Sequence, residues 1–164
     1  MHASDLAVEL PLLPRSSSIS ETFKLIADHD LLAVVITGED GRVEAIASPV
    51  EITRLVLPGY VLDDLTLAGL LDDASLADLF AAADARTVGD AIDAGDLGVR
   101  GMAEVDADAS VLETACQMVA AKAQIVRLRE DGDVRRFVSL ASVLDALLAL
   151  RPQNGATPAA GEEA

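Results

Sequence analysis

Apolar and polar positions along this chain follow two different periods, and the periods come in a repeated order. Ile19, Thr22, Phe23, Ile26 and Ala27 recur at spacings of three and four, the stripe of an amphipathic helix. A β-type run follows from Ala33 to Thr37. Next comes Asp40-Gly41, a dipeptide that supplies the positive φ of a hairpin turn, and then a second run, Val43 to Ala47. A helix is predicted to start near Pro49, with Ser48 and Glu51 spaced as a capping box and proline at the first helical position.

The same order returns in the second half. Val111, Ala115, Met118 and Val119 form a helical stripe, Ile125 to Arg129 and Val134 to Val138 read as strands around Asp131-Gly132, and a helix starts near Leu140. The two halves also share residues. Ser18-Ile19-Ser20-Glu21-Thr22 matches Ser110-Val111-Leu112-Glu113-Thr114 at an offset of 92. The hairpins, and Ala45-Ile46-Ala47-Ser48 with Arg136-Phe137-Val138-Ser139, match at an offset of 91. Three matches in order, differing by one inserted residue, mark an internal repeat.

Between the copies, Asp63 to Leu71 and Ser75 to Ala83 read as helices, with Ser75 as the cap of the second. Thr87 to Ile92 reads as a short helix leading into the second copy, and Ser4 to Ala7 takes that part before the first. The expected organisation is residues 1–60 as repeat one with its lead-in, 61–86 as inter-repeat helices, 87–150 as repeat two, and 151–164 as a disordered tail without apolar period.

Composition narrows the chemistry. Acidic residues outnumber basic ones 28 to 12, a formal charge of −16, which disfavours nucleic acid and anionic membrane surfaces as partners. No apolar run reaches the roughly 18 residues of a membrane helix, and the first residues lack the pattern of a signal peptide. Cys116 is the single cysteine, so an intramolecular disulfide and a cysteine-based zinc site are excluded; a reducing cytoplasm fits. Cys116 is expected to be a small buried apolar residue. His2 is expected in a frayed terminus and His29 at a helix end, where a cation suits the negative pole. Asp63-Asp64 and Asp72-Asp73 read as helix-start residues, not metal ligands. With no glycine-rich phosphate loop and no nucleophile–base set, the chain is not expected to be an enzyme.

The order of elements, the Asp-Gly hairpin and the closing strand–serine–helix step resemble the CBS domain, named after cystathionine β-synthase. Two copies resemble a CBS pair, or Bateman module, over about Asp5 to Leu150, and Tyr60 to Asp64 with the helices after it resembles short stand-alone actinobacterial pairs. The resemblance implies an α/β (α+β) fold of two β-α-β-β-α units about a pseudo-two-fold axis, with clefts that take adenosine-type nucleotides such as AMP, ADP or ATP. It implies that Ser48 and Ser139 fill the hydroxyl position that faces phosphate. Glu51 and Ser142 occupy the position of the ribose-binding aspartate, and both copies lack the family's glycine. A carboxylate suits ribose because it accepts two donors at once. Helix capping is the competing account of Ser48 with Glu51, and the preferred account of Ser139 with Ser142. Arg127, Arg129, Arg135 and Arg136 read as counter-charges to Glu130, Asp131 and Asp133, with a ligand phosphate as the alternative.

The resulting expectation is a non-catalytic regulatory module that senses a nucleotide and modulates a partner, a transporter or an enzyme. The alternative is a degenerate pair that serves as a dimeric scaffold without a ligand. A homodimer is expected through Leu144, Leu147 and Leu148, with Leu55 and Val56 in the other copy.

Overall fold

The structure, a computed structural model, describes residues 1–129 and 136–151. A 3-10 turn (Ala3–Leu6) leads into strands β1 (Ala7–Glu9) and β2 (Leu12–Pro14), helix α1 (Ile19–His29), strands β3 (Val34–Thr37) and β4 (Val43–Ala47), and helix α2 (Pro49–Arg54). Helix α3 (Gly59–Asp63), a second 3-10 turn (Leu65–Leu70) and helix α4 (Asp73–Asp84) fill the middle. The second half comprises helix α5 (Val88–Asp93), β5 (Glu104–Asp106), α6 (Val111–Ala121), β6 (Ile125–Arg129), β7 (Arg136–Ser139) and α7 (Leu140–Ala149).

Local chemistry explains why α1 and α6 look alike. The hydroxyls of Ser18 and Ser110 accept from the backbone N–H of Glu21 and Glu113, both at 3.2 Å, and each glutamate accepts from its serine's N–H at 2.8 Å. Thr22 and Thr114 are fully buried, and each donates its hydroxyl to the serine carbonyl one turn back, at 2.7 and 2.9 Å. Neither hydroxyl is therefore left unsatisfied. Both helices end on a left-handed residue, Asp30 (φ 49°) and Lys122 (φ 50°).

The first hairpin is a four-residue turn from Gly38 to Gly41. The Gly41 N–H donates to the Gly38 carbonyl at 3.0 Å. Only Gly41 takes the positive φ (76°) expected of the Asp-Gly pair; Asp40 does not. The pairing of β3 with β4 slips between Ile36 and Thr37, so Val43 and Ile46, three residues apart, share a face. Asp131-Gly132, with Val134 and Arg135, lies outside the described residues, as does the tail beyond Arg151.

Two sheets result, β2-β3-β4 and β1-β7-β6-β5. The lead-ins cross between the halves. Strand β1 pairs antiparallel with β7, and Ala3 is buried in the core of the second half. In return α5 buries Val88 and Ala91 in the core of the first, with the Val88 N–H donating to Ser17 O at 2.9 Å. Residues grouped with one repeat by chain order thus complete the other.

Strand alternation divides the interior into three parts. Val34 and Ile36 face the helices of the first half, and Val126, Leu128 and Val138 those of the second. Ala33, Val35, Ile125 and Phe137 turn the other way and meet between the sheets. Phe137, fully buried, is among the largest side chains sealed in the molecule.

Several expectations change. Asp63 to Leu71 is not one helix: α3 ends at Asp63, and Asp64 caps the 3-10 turn by accepting from Thr66 N–H at 3.0 Å. Asp72, not Ser75, caps α4; it accepts from both the N–H (2.8 Å) and the hydroxyl (2.7 Å) of Ser75, placing a charge at the positive helix end. His2 is tied down, its Nδ1 2.7 Å from Asp108 O. His29 does lie at a helix end, Nδ1 3.1 Å from Leu25 O. Cys116 is exposed, because the buried stripe of α6 runs through Val111, Thr114 and Met118. Val56 is buried in the first core, so it is no surface residue.

Candidate functional site

The turn from β4 into α2 carries the first pair of candidate residues. Ser48 leaves the strand with extended backbone (φ −82°, ψ 150°), Pro49 fixes the first helical φ, and Glu51 falls at the third helical position. The Ser48 hydroxyl accepts from Glu51 N–H at 3.2 Å. Oε2 of Glu51 accepts from the Ser48 N–H at 3.1 Å and from its hydroxyl at 3.2 Å. The cap therefore engages one carboxylate oxygen. The other, Oε1, lies 3.0 Å from where a Cβ on residue 98 would stand, so glycine at Gly98 leaves room for the carboxylate. A carboxylate offers about four acceptor positions, and capping leaves capacity for further donors.

Ser48 and Glu51 line a cleft of about 240 Å³ between the halves. Leu32, Ala33 and Ile46 of the first half form its apolar wall with Ala123 and Ile125 of the second. Two cations reach it, Arg100 and Lys122, with Gln124 beside them. Arg100 is placed by a backbone bridge: its N–H donates to Ile46 O and its carbonyl accepts from Ile46 N–H, both at 3.0 Å. Lys122 is placed by the end of α6. Among the described residues neither takes part in an ion pair, whereas Arg15, Lys24, Arg42, Arg86, Arg127 and Arg129 all do. An apolar slot with a carboxylate on one side and two free cations is chemically suited to a ligand with a flat apolar part, hydroxyl donors and an anionic group.

Ser139 and Ser142 do not line this cleft. Ser139 caps α7, accepting from Ser142 N–H at 3.1 Å, and the two hydroxyls are 2.9 Å apart. The described arginines of the second hairpin are engaged elsewhere. Arg127 and Arg129 stand opposite Glu104 and Asp106 in the parallel pairing of β5 with β6. Arg127 pairs with Glu104, and Arg129 with both Glu104 (3.4 Å) and Asp106 (2.9 Å). Arg136 donates to Ser4 O at 2.8 Å. Arg127 and Arg129 thus find counter-charges on β5; Arg135, Glu130, Asp131 and Asp133 lie outside the described residues. Asp64 and Asp72 serve as caps, and among the described residues no group of three or more His, Cys, Asp or Glu could hold a metal ion.

Sequence reasoning missed Arg100 and Lys122. Each lies far along the chain from Ser48, and each is supplied by a segment with no motif of its own. The available signal was the repeat itself: Lys122 ends the helix that matches the one ended by Asp30.

No protein-family model matches the chain, and no curated protein does. Solved structures do. A CBS domain-containing protein from Kribbella flavida is 25% identical, with a TM-score of 0.76 over 90% of this chain and 99% of that one. CBSX2 from Arabidopsis thaliana is 13% identical, with a TM-score of 0.64 over 91% of this chain and 95% of that one. A structure of CBSX2 in complex with AMP is 14% identical, with a TM-score of 0.60 over 91% of this chain and 97% of that one. No helix among the described residues is long and apolar enough to cross a membrane.

Proposed function

This chain has the fold of a tandem CBS pair, and we propose that it is a non-catalytic regulatory module that takes an adenosine-type nucleotide in the cleft of Ser48 and Glu51. The observation that carries this reading is the cleft's combination of an apolar slot, a carboxylate with spare acceptor capacity, and the cations Arg100 and Lys122, which make no ion pair among the described residues. The AMP held by the structurally similar CBSX2 supports the choice of ligand class. In this reading the base occupies the apolar slot, Glu51 receives the ribose hydroxyls, and the phosphate meets the cations. Ordering the two halves around one ligand is the signal passed to a partner, a transporter or an enzyme in the cytoplasm.

Pairing with a second copy completes the proposal. Helix α6 exposes Leu112 (68%) and Val119 (77%), and α7 exposes Leu144, Leu147 and Leu148. Exposed apolar side chains on these two helices suit a helix-to-helix contact between copies. Light scattering should give twice the chain mass of 17.0 kDa, and Leu148→Lys should shift it toward the single chain. A wild-type mass of one chain at micromolar concentration removes the dimer.

The nucleotide is tested by thermal shift over AMP, ADP, ATP, NAD and S-adenosylmethionine. A ligand at about 100 times its dissociation constant adds roughly 2.7 kcal/mol, a rise of about 5–10 °C for a chain of this size. Glu51→Ala should weaken the bound nucleotide by about 1–3 kcal/mol. No shift with any of the five leaves the scaffold reading in its place.

A further inference from the structure

The segment between the two copies of the repeat carries charge and apolar surface that its own fold does not use. From Leu55 to Ala85 it has six aspartates and no lysine, arginine or histidine. Four of the six serve the fold. Asp64 and Asp72 are caps, Asp73 stands in the first turn of α4, and Asp84 holds Ser20. Asp63 and Asp78 are exposed and make no hydrogen bond or ion pair among the described residues. Asp63 also closes α3, at the helix end where a negative charge is unfavourable.

The apolar stripe of α4 is only partly covered. Leu76, Leu79, Phe80 and Ala83 lie on one side of the helix by their spacing. Helix α1 covers the later end of that stripe, where Phe80 meets Phe23 and Ser20 reaches Asp84. Exposure rises along it from 7% at Ala83 to 47% at Leu76. Leu70, 78% exposed, stands two residues before the cap of the open end. Along the chain, Asp63 and Asp78 bracket the exposed Leu65, Leu70 and Leu76. A helix face uncovered at its start and bordered by unused carboxylates is complementary to a second helix with one apolar face and cations along its rim. A second copy of this chain is a poor match, because the segment would meet its own charge and the chain as a whole stands at −16. We infer that this inter-repeat surface docks a cationic amphipathic helix of a partner protein. The partner belongs to the regulatory reading above, whereas the surface is independent of any nucleotide.

Fluorescence anisotropy of the full chain, without nucleotide, against a labelled synthetic amphipathic helix of leucine and lysine, about 18 residues long, tests this. Two control peptides replace its leucines by serine or its lysines by glutamate. The leucine–lysine helix is expected to bind roughly tenfold tighter than either control, and more weakly as salt rises. Leu70→Ser with Leu76→Ser should weaken it by roughly tenfold, whereas Leu112→Ser with Leu148→Ser, on α6 and α7, should leave it unchanged. Asp63→Asn with Asp78→Asn removes charge that no contact of the fold uses. Weaker binding at an unchanged melting temperature then reports complementarity, even if Leu76→Ser loosens α4. No binding of the leucine–lysine helix, equal binding of the serine–lysine control, indifference to the aspartate variant, or a loss that follows Leu112 and Leu148 instead overturns the inference. So does a dimer mass that Leu70→Ser with Leu76→Ser reduces to one chain, since a second copy would then cover this surface. The nucleotide is decided by the thermal shifts above and stands or falls apart from these results.

Discussion

Helices α1 and α6 begin with the same capping box and bury the same threonine, yet α1 packs against α4 as well as α2, whereas α6 packs against α7 and leaves its matching outer face exposed. On α1, Ser20 donates its N–H and its hydroxyl to Asp84 of α4, each at 2.7 Å, and Phe23 meets Phe80 of α4 edge to face at 5.4 Å. The matching positions on α6, at an offset of 92, are Leu112 and Ala115, and Leu112 is left 68% exposed. The first half has a polar latch and an aromatic contact where the second has an open apolar face. The same divergence recurs at the cleft, whose Arg100 and Lys122 have Val8 and Asp30 at the positions 92 residues earlier. A duplicated unit therefore keeps the local rules that make its helices and strands, while its surface residues are free to diverge, here into a latch on one copy and an open apolar face on the other.

The comparison between halves is broken most severely at the centre. Phe137 is fully buried, whereas its counterpart Ile46 is only half-buried and lines the cleft. Phe137→Ala should cost about 3–5 kcal/mol in urea denaturation, and Ile46→Ala clearly less. Equal losses would show that the two sheets contribute evenly to the interface between them. Next in size is Phe80→Ala, which removes the aromatic contact on α1 and should cost about 2 kcal/mol. If the melting temperature stays put, α4 is an ornament of the first half and not part of its closure.

The shared caps should behave alike. Ser18→Ala and Ser110→Ala are each expected to cost about 1 kcal/mol, and the double variant about the sum, because the two helices belong to separate cores. A marked inequality would mean that the roof over α1 shelters its cap. The smallest effect concerns acid. The Ser20 backbone N–H, then its hydroxyl, hold the Asp84 carboxyl below the usual carboxylate range. A pKa lower in the folded than in the unfolded state gives stability that is present above the ordinary value near 4 and lost as pH falls through the folded one. Asp84→Asn should therefore flatten the acid limb of a melting-temperature profile below about pH 4. An unchanged limb would assign acid sensitivity to other carboxylates, Glu113 among them, which Ser110 also holds low.

Much of this architecture is legible residue by residue. The strand from Val43 to Ala47 and the helices capped by Ser18, Ser48, Thr87 and Ser110 each follow from residues within one turn of one another. Strands β1, β2 and β5 are three residues each, too short for a period, and they exist because a neighbouring strand offers its edge. The inter-repeat segment deceived for a related reason: Leu67, Leu70 and Leu71 keep helical spacing, but the chain is short of packing there, with Leu65 and Leu70 more than 70% exposed, and Leu65 to Leu70 settles as a 3-10 turn. At the cleft, Ser48 and Glu51 stood out in the sequence, whereas Arg100 and Lys122 carried no pattern.

The sequence by itself determined the repeat, the caps, the central strands and the acidic, aliphatic character of the chain, because each depends on neighbours a few residues away. The tertiary structure decided which sheet β1 joined, which core α5 filled, and which cations share a cleft with Glu51. Those outcomes depend on backbone pairing across 54 residues, as between Ile46 and Arg100 beyond α5, or across 131, as between Ala7 of β1 and Val138 of β7. Such pairings form only where buried faces on both sides fit together, and no local spacing of residues encodes that fit.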